Sequence, residues 1–203
     1  MYMQSNDILE EIKRKALEDH VPILQDVSLE LIEVILDIKK PNKILEIGTA
    51  VGYSAINFSK YLSGDNAKLT TIELKEEMYN IALNNVEKLG LKNKIELINA
   101  DATKYLATMD EKFDVIFIDA AKGQYLVFLE QALRMSKNGT VIIADNVYFK
   151  GRVLSGYNEH RHRTATNRLR EYIHQVTTNP LLHTTILNIG DGVAVSVVSI
   201  PQS

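Results

Sequence analysis

Cysteine is absent from the 203-residue sequence, which excludes disulfides, thiolate nucleophiles and cysteine-held metals and fits a reducing compartment. Any metal must therefore be held by oxygen or imidazole. Long apolar runs are missing as well. Asp7, Glu10, Glu11, Lys13, Arg14 and Lys15 interrupt the opening segment, leaving no secretory core, and no later run approaches the ~18 apolar residues of a membrane span. The expectation is a cytoplasmic protein with no membrane partner. No repeat, low-complexity tract or Pro/Gly-rich linker divides the chain, so a single domain over residues 1–203 is expected. What is present is an ordinary globular mix, 45% hydrophobic and 24% charged, which rules out disordered, collagen-like and heptad-repeat chains.

The net charge of -3 conceals an asymmetry. Lys150, Arg152, Arg161, Arg163, Arg168 and Arg170 face only Glu159 within residues 150–170. A basic stretch on an acidic body suggests an anionic partner at one edge; a solvated, Arg-rich helix face is the other reading.

Short β-branched apolar runs alternate with helix-period segments. Strands are expected at Lys43–Ile47, Lys68–Glu73, Lys94–Asn99, Phe113–Asp119 and Thr140–Asp145, with helices near 52–62, 75–89, 122–136 and 165–177. That alternation predicts an α/β fold: a mostly parallel sheet with helices on both faces. His183–Ile189 and Val193–Ile200, joined by Gly190-Asp191-Gly192, predict an antiparallel hairpin at its end. Residues 5–38 read as two helices broken at Val21-Pro22 that cover one end of the sheet.

The segment Ile44-Leu45-Glu46-Ile47-Gly48-Thr49-Ala50-Val51-Gly52-Tyr53-Ser54 runs from a buried strand through a two-glycine turn into a helix, where a nucleotide-type ligand belongs. Its spacing is G-x-x-x-G, so the G-x-G-x-x-G pyrophosphate turn of a dinucleotide enzyme is missing. Glu46 would repel a diphosphate but could accept a hydrogen bond from an ammonium, which favours S-adenosylmethionine over NAD. Glu73, at the end of the second strand, suits a ribose diol, and Asp101-Ala102, ending the third, suits an adenine edge. Acids at strand ends are also common helix caps.

Asp119 and Asp145-Asn146 end strands too apolar for the surface. Two carboxylates and an amide carbonyl suit a hard octahedral cation such as Mg²⁺, with helix N-caps as the plainer alternative. Lys122, three residues past Asp119, would sit near that cation and a helix start, conditions that disfavour a protonated amine and suit a general base; a solvent-facing lysine is the alternative. Tyr53 and Tyr148 read as pocket or core residues, the five histidines as surface or phosphate-proximal groups, and Asp191 as a turn residue or, more weakly, a substrate contact.

From about Val21 to Gly192 the sequence resembles the cation-dependent O-methyltransferases, the family of catechol and caffeoyl-coenzyme A methyltransferases, through L-E-I-G-T-A-V-G-Y-S, F-I-D-A-A-K, A-D-N-V and G-D-G in order. Within that family His20-Val21-Pro22-Ile23, the residues Asp119 to Tyr125 and the residues Asp145 to Gly151 resemble the bacterial tRNA 5-hydroxyuridine methyltransferases. The resemblance implies a Rossmann-like methyltransferase fold with a seven-stranded, mostly parallel sheet. It implies a methyl-donor site of Leu24, Glu46, Gly48, Ser54, Glu73, Asp101, Ala102 and Asp119. It further implies Mg²⁺, or another hard divalent cation, on Asp119, Asp145 and Asn146, Lys122 as the catalytic lysine, and a homodimer. The acceptor so implied is the wobble 5-hydroxyuridine of a tRNA anticodon loop, methylated to 5-methoxyuridine, with Lys150, Arg152, Arg161 and Arg163 beside the phosphates. A small catechol-like or coenzyme A-linked phenol is the alternative acceptor. A binding module that has lost its reaction is disfavoured by the joint presence of Asp119, Lys122, Asp145 and Asn146.

Overall fold

The structure is a computed structural model that describes residues 2–155 and 160–201. The chain divides into two compact units, residues 1–102 and 103–203, taken here in turn.

The first unit begins with α1 (Tyr2–Glu18) and α2 (Asp26–Lys39), broken where Val21-Pro22 was expected to end a helix. Lys13 of α1 meets Asp26 at the start of α2 at 2.7 Å. Three parallel strands follow in the order β3-β2-β1: β1 (Lys43–Ile47), β2 (Lys68–Glu73) and β3 (Ile95–Asn99). Between them lie α3 (Tyr53–Phe58) and α4 (Glu76–Lys88). Ile44, Leu45, Ile47, Leu69 and Ile72 of the strands are buried, as are Ile32 and Leu36 of α2 and Ala82 and Val86 of α4. Helix α3 is shorter than its expected 52–62. Asn57 donates to the Tyr53 carbonyl and Ser59 to that of Ile56, and this back-bonding accompanies a tightening of the chain into a 3-10 turn at Ser59–Tyr61.

The second unit holds α5 (Ala102–Thr108), β4 (Phe113–Ile118), α6 (Tyr125–Arg134), β5 (Ser136–Ala144), α7 (His160–Thr178), β6 (Leu182–Leu187) and β7 (Val193–Val198). Its strands run in the order β4-β5-β7-β6, with β4 and β5 parallel and β7 antiparallel to both neighbours. The expected hairpin is therefore present, paired from Leu182↔Val198 to Leu187↔Val193. Val115 to Ile118, Ile142, Ile143, Phe128, Leu169 and Val193 are buried.

Two element starts lie well off expectation, and one helix was not expected. Strand β5 starts at Ser136 rather than Thr140, because the buried Thr140 hydroxyl donates to the Phe113 carbonyl and accepts the Lys137 N–H, carrying the ladder across an irregularity. Helix α7 starts at His160 rather than near 165. Its first turn is basic (His160, Arg161, His162, Arg163), a charge pattern that opposes the helix dipole and reads poorly as an N-terminus. The seven-residue α5 was not expected. Its end is held from outside, by Arg134 donating to the Leu106 and Met109 carbonyls.

Candidate active site

Strand β1 delivers the chain into a turn that only a glycine can begin easily. Gly48 has φ +103°, and two further left-handed residues follow, Ala50 at +47° and Gly52 at +83°. The turn is tied down at several points. The Gly48 N–H donates to Ile72 O, the Ala50 N–H to Glu73 Oε2, and the buried Asn85 of α4 donates to Val51 O. The other carboxylate oxygen of Glu73 accepts the Lys75 N–H. Each carboxylate oxygen has a second lone pair, so Glu73 can hold the turn and still meet a diol.

Glu46, expected to meet a ligand amine directly, is fully buried. Thr71, its partner across the β1/β2 register, donates to its Oε2 at 2.5 Å. Leu24 is buried between α1 and α2, Ser54 is half-buried in the first turn of α3, and Asp101 and Ala102 are half-buried where β3 gives way to α5. The sequence reading missed Thr49, Thr71 and Asn85; the two threonines carried a signal, being polar residues in otherwise apolar strand-and-turn segments.

In the second unit β4 and β5 lie parallel with Ile118 opposite Ala144, so the residues just past them, Asp119 and Asp145, leave at the same end. They are brought together. Lys122 Nζ lies 2.9 Å from Asp119 Oδ1, 3.3 Å from Asn146 Oδ1 and 3.5 Å from the Asp145 carbonyl. It also donates to the hydroxyl of Tyr125 at 2.6 Å, and that hydroxyl donates to the Asp145 carbonyl at 2.8 Å. Tyr125 is fully buried, edge-on to Tyr172. It was not singled out from sequence, although its position three residues past Lys122 on a helical segment placed it within reach.

The electrostatics of this cluster are unbalanced. Asp145 is 1% exposed; its Oδ2 accepts the Asn146 amide, and its Oδ1 has no hydrogen-bond partner. Burial and the neighbouring Asp119 charge push its carboxyl up to about 6. Among the described residues no trio of His, Asp and Glu gathers into a metal site, so the available donors are those two carboxylates and the Asn146 amide. An all-oxygen set with one buried carboxylate oxygen left over fits a hard divalent cation.

Asn146 opens a loop with φ above zero at Asn146 (+54°), Phe149 (+50°), Lys150 (+54°) and Gly151 (+74°). The loop is fastened to the β6–β7 turn. Val147 and Tyr148 N–H donate to the Gly192 and Asp191 carbonyls, and both Asp191 carboxylate oxygens accept the Lys150 N–H at 2.6–2.7 Å. Asp191 thus does more than shape its own turn. The basic stretch divides into two groups. Arg152 lies over the Phe149 ring at 5.1 Å, and Arg170 donates to the Val153 and Ser155 carbonyls, whereas Lys150, Arg161, Arg163 and Arg168 are exposed. Glu159 lies outside the described residues.

Comparison with known proteins bears on both clusters. The O-methyltransferase family profile matches residues 2–198. A catechol O-methyltransferase of Niastella koreensis is 32% identical over 83% of this chain and 79% of its own length. A putative caffeoyl-CoA O-methyltransferase from Staphylococcus aureus superposes with a TM-score of 0.87 at 31% identity, covering 94% of this chain and 92% of that one. An O-methyltransferase from Bacillus cereus, solved in complex with SAH, superposes at 0.84 with 29% identity, covering 95% and 91%.

Proposed function

We propose, from the premise that this chain belongs to the O-methyltransferase family, that its S-adenosylmethionine-dependent methyl transfer is cation-assisted and directed to the 5-hydroxyl of the wobble 5-hydroxyuridine in tRNA. The observation that carries the chemistry is the cluster of Asp119, Lys122, Asp145 and Asn146, with the Asp145 Oδ1 left unsatisfied in the interior. Asp119, Asp145 and Asn146 would hold the cation, which supplies a Lewis acid that lowers the pKa of the acceptor hydroxyl. The 5-hydroxyl beside the 4-carbonyl of the base gives two adjacent oxygens, a chelating pair like that of a catechol.

Lys122, steadied by Asp119 and the Tyr125 hydroxyl, takes the hydroxyl proton. The acceptor oxygen forms its bond to the methyl carbon as the sulfonium–methyl bond breaks, leaving S-adenosylhomocysteine. Residues 48–52, with Glu73 and Asp101, form the donor side. The tRNA acceptor is supported by the exposed Lys150, Arg161 and Arg163, which suit the phosphates of a single-stranded loop. The same reading takes the enzyme as a homodimer; α2 leaves Val27, Val34 and Ile38 exposed at helical spacing, away from its buried Ile32 and Leu36.

A second acceptor, a small catechol-like or coenzyme A-linked phenol, is favoured by the names of the relatives. Mass spectrometry of tRNA nucleosides from cells with and without the gene decides between them. Loss of 5-methoxyuridine with accumulation of 5-hydroxyuridine is expected, and an unchanged profile would favour the phenol. With the purified enzyme, methylation should stop on addition of EDTA and in Asp145→Ala.

A further inference from the structure

Glu46 is fully buried at the end of β1, which raises the question of what an acidic side chain does there. Its register partner Thr71 has a single hydroxyl proton, and that proton goes to Glu46 Oε2. Thr71 Oγ1 also lies 2.5 Å from Thr49 Oγ1, so in that contact Thr49 must be the donor. A directed chain results, from Thr49 to Thr71 to Glu46. Thr49 and Thr71 are 2% and 0% exposed, so bulk water does not compete for either hydroxyl.

Thr49 lies inside the glycine turn, between left-handed Gly48 and left-handed Ala50. A non-glycine residue at φ +47° persists only where its surroundings dictate it. Here the next strand, β2, holds the turn from two sides, through the Thr49 hydroxyl to Thr71 and through the Ala50 N–H to Glu73.

We infer that Thr71 and Thr49 are positioning residues for the methyl donor: they tie the turn to the buried carboxyl of Glu46 and hold residues 48–52 in their ligand-ready shape. Glu46 thus acts on the turn through the two hydroxyls. The inference rests on the donor site proposed above.

The test is titration calorimetry with S-adenosylhomocysteine on the full chain, beside donor KM, kcat and thermal midpoint. Loss of this buried hydrogen bond in Thr71→Val should weaken S-adenosylhomocysteine by about tenfold and raise donor KM in step, with kcat nearly unchanged. Thr71→Ser, which keeps the hydroxyl, should restore affinity. Because the two hydroxyls act in series, Thr49→Val combined with Thr71→Val should be little worse than Thr71→Val alone. If Thr71→Val does not fold, Thr49→Val carries the test, since it cuts the chain at the turn and leaves the Thr71–Glu46 bond intact. Unchanged affinity in the valine variants, or a serine variant as weak as valine, overturns the inference. Failure of the unmodified protein to bind S-adenosylhomocysteine overturns the donor site itself, and the inference with it.

Discussion

Asp145 shows how one side chain can be wrong for the isolated fold and right for the reaction. An unfolded aspartate ionises near 3.8, whereas in the folded chain burial and Asp119 hold the Asp145 carboxyl protonated up to about 6. Between those values the folded state keeps a proton that the unfolded state has lost. The associated stability is therefore fully present below the unfolded value and is lost as pH rises through the folded one. The loss is on the order of 3 kcal/mol. On the proposed function a cation held by Asp145 would take over the role of the proton at higher pH. In EDTA the thermal midpoint should accordingly fall between about pH 4 and pH 7, and Mg²⁺ should raise it more at about pH 7.5 than at about pH 5. Asp145→Asn, with no charge to bury, should flatten the fall and abolish the Mg²⁺ response. An equal Mg²⁺ response in wild type and Asp145→Asn would place the cation elsewhere.

The loop after β5 and the turn before β7 behave as one element, and glycine is what lets them meet. Gly192 has φ +85°, and a Cβ placed there would lie 2.5 Å from the Tyr148 ring. Gly192→Ala therefore meets two penalties, a left-handed backbone and a ring that must move, while its carbonyl is the acceptor for Val147 N–H. It should cost about 2 kcal/mol or more in denaturant unfolding. Tyr148→Ala in the same chain should recover the steric part and leave the conformational part. This coupling was invisible in sequence, where G-D-G reads as hairpin chemistry and a family motif, with Asp191 as a turn residue or a weak substrate contact. Elements whose character is local were legible: Lys43–Ile47 and Lys68–Glu73 match residue for residue, since their apolar runs are bounded by charge. Elements stabilised from outside were not, as with α5, which leans on Arg134. The candidate site divides likewise. Asp119, Lys122, Asp145 and Asn146 stand at strand ends and could be picked out by position, but the burial of Glu46 and the parts of Thr71 and Tyr125 depend on strand register and helix packing that no short motif encodes.

At the scale of the whole molecule the charge is unevenly spread. A net charge of -3 includes a basic segment whose exposed members, Lys150, Arg161, Arg163 and Arg168, lie on the loop and helix that follow Asp145-Asn146. Arg152 lies over the Phe149 ring and Arg170 donates to the Val153 and Ser155 carbonyls, so the exposed group is smaller than the count of basic residues. A tRNA loop held by the exposed group should bind with a salt dependence set by the number of phosphates met, about 0.7 log unit per contact for single-stranded nucleic acid. Replacing Arg161 and Arg163 together by Ala should weaken tRNA binding at low salt and reduce the slope of log affinity against log salt by about 1.4. The Tm should hardly move, because both side chains are exposed. The same double variant should leave S-adenosylhomocysteine affinity and turnover of an uncharged catechol within about twofold, since neither depends on a phosphate contact. A filter-binding or fluorescence titration between 50 and 200 mM KCl, conditions over which counterion release dominates, measures the slope directly. An unchanged slope with intact methylation would remove Arg161 and Arg163 from the acceptor site and leave the small phenol as the better reading of the same chemistry.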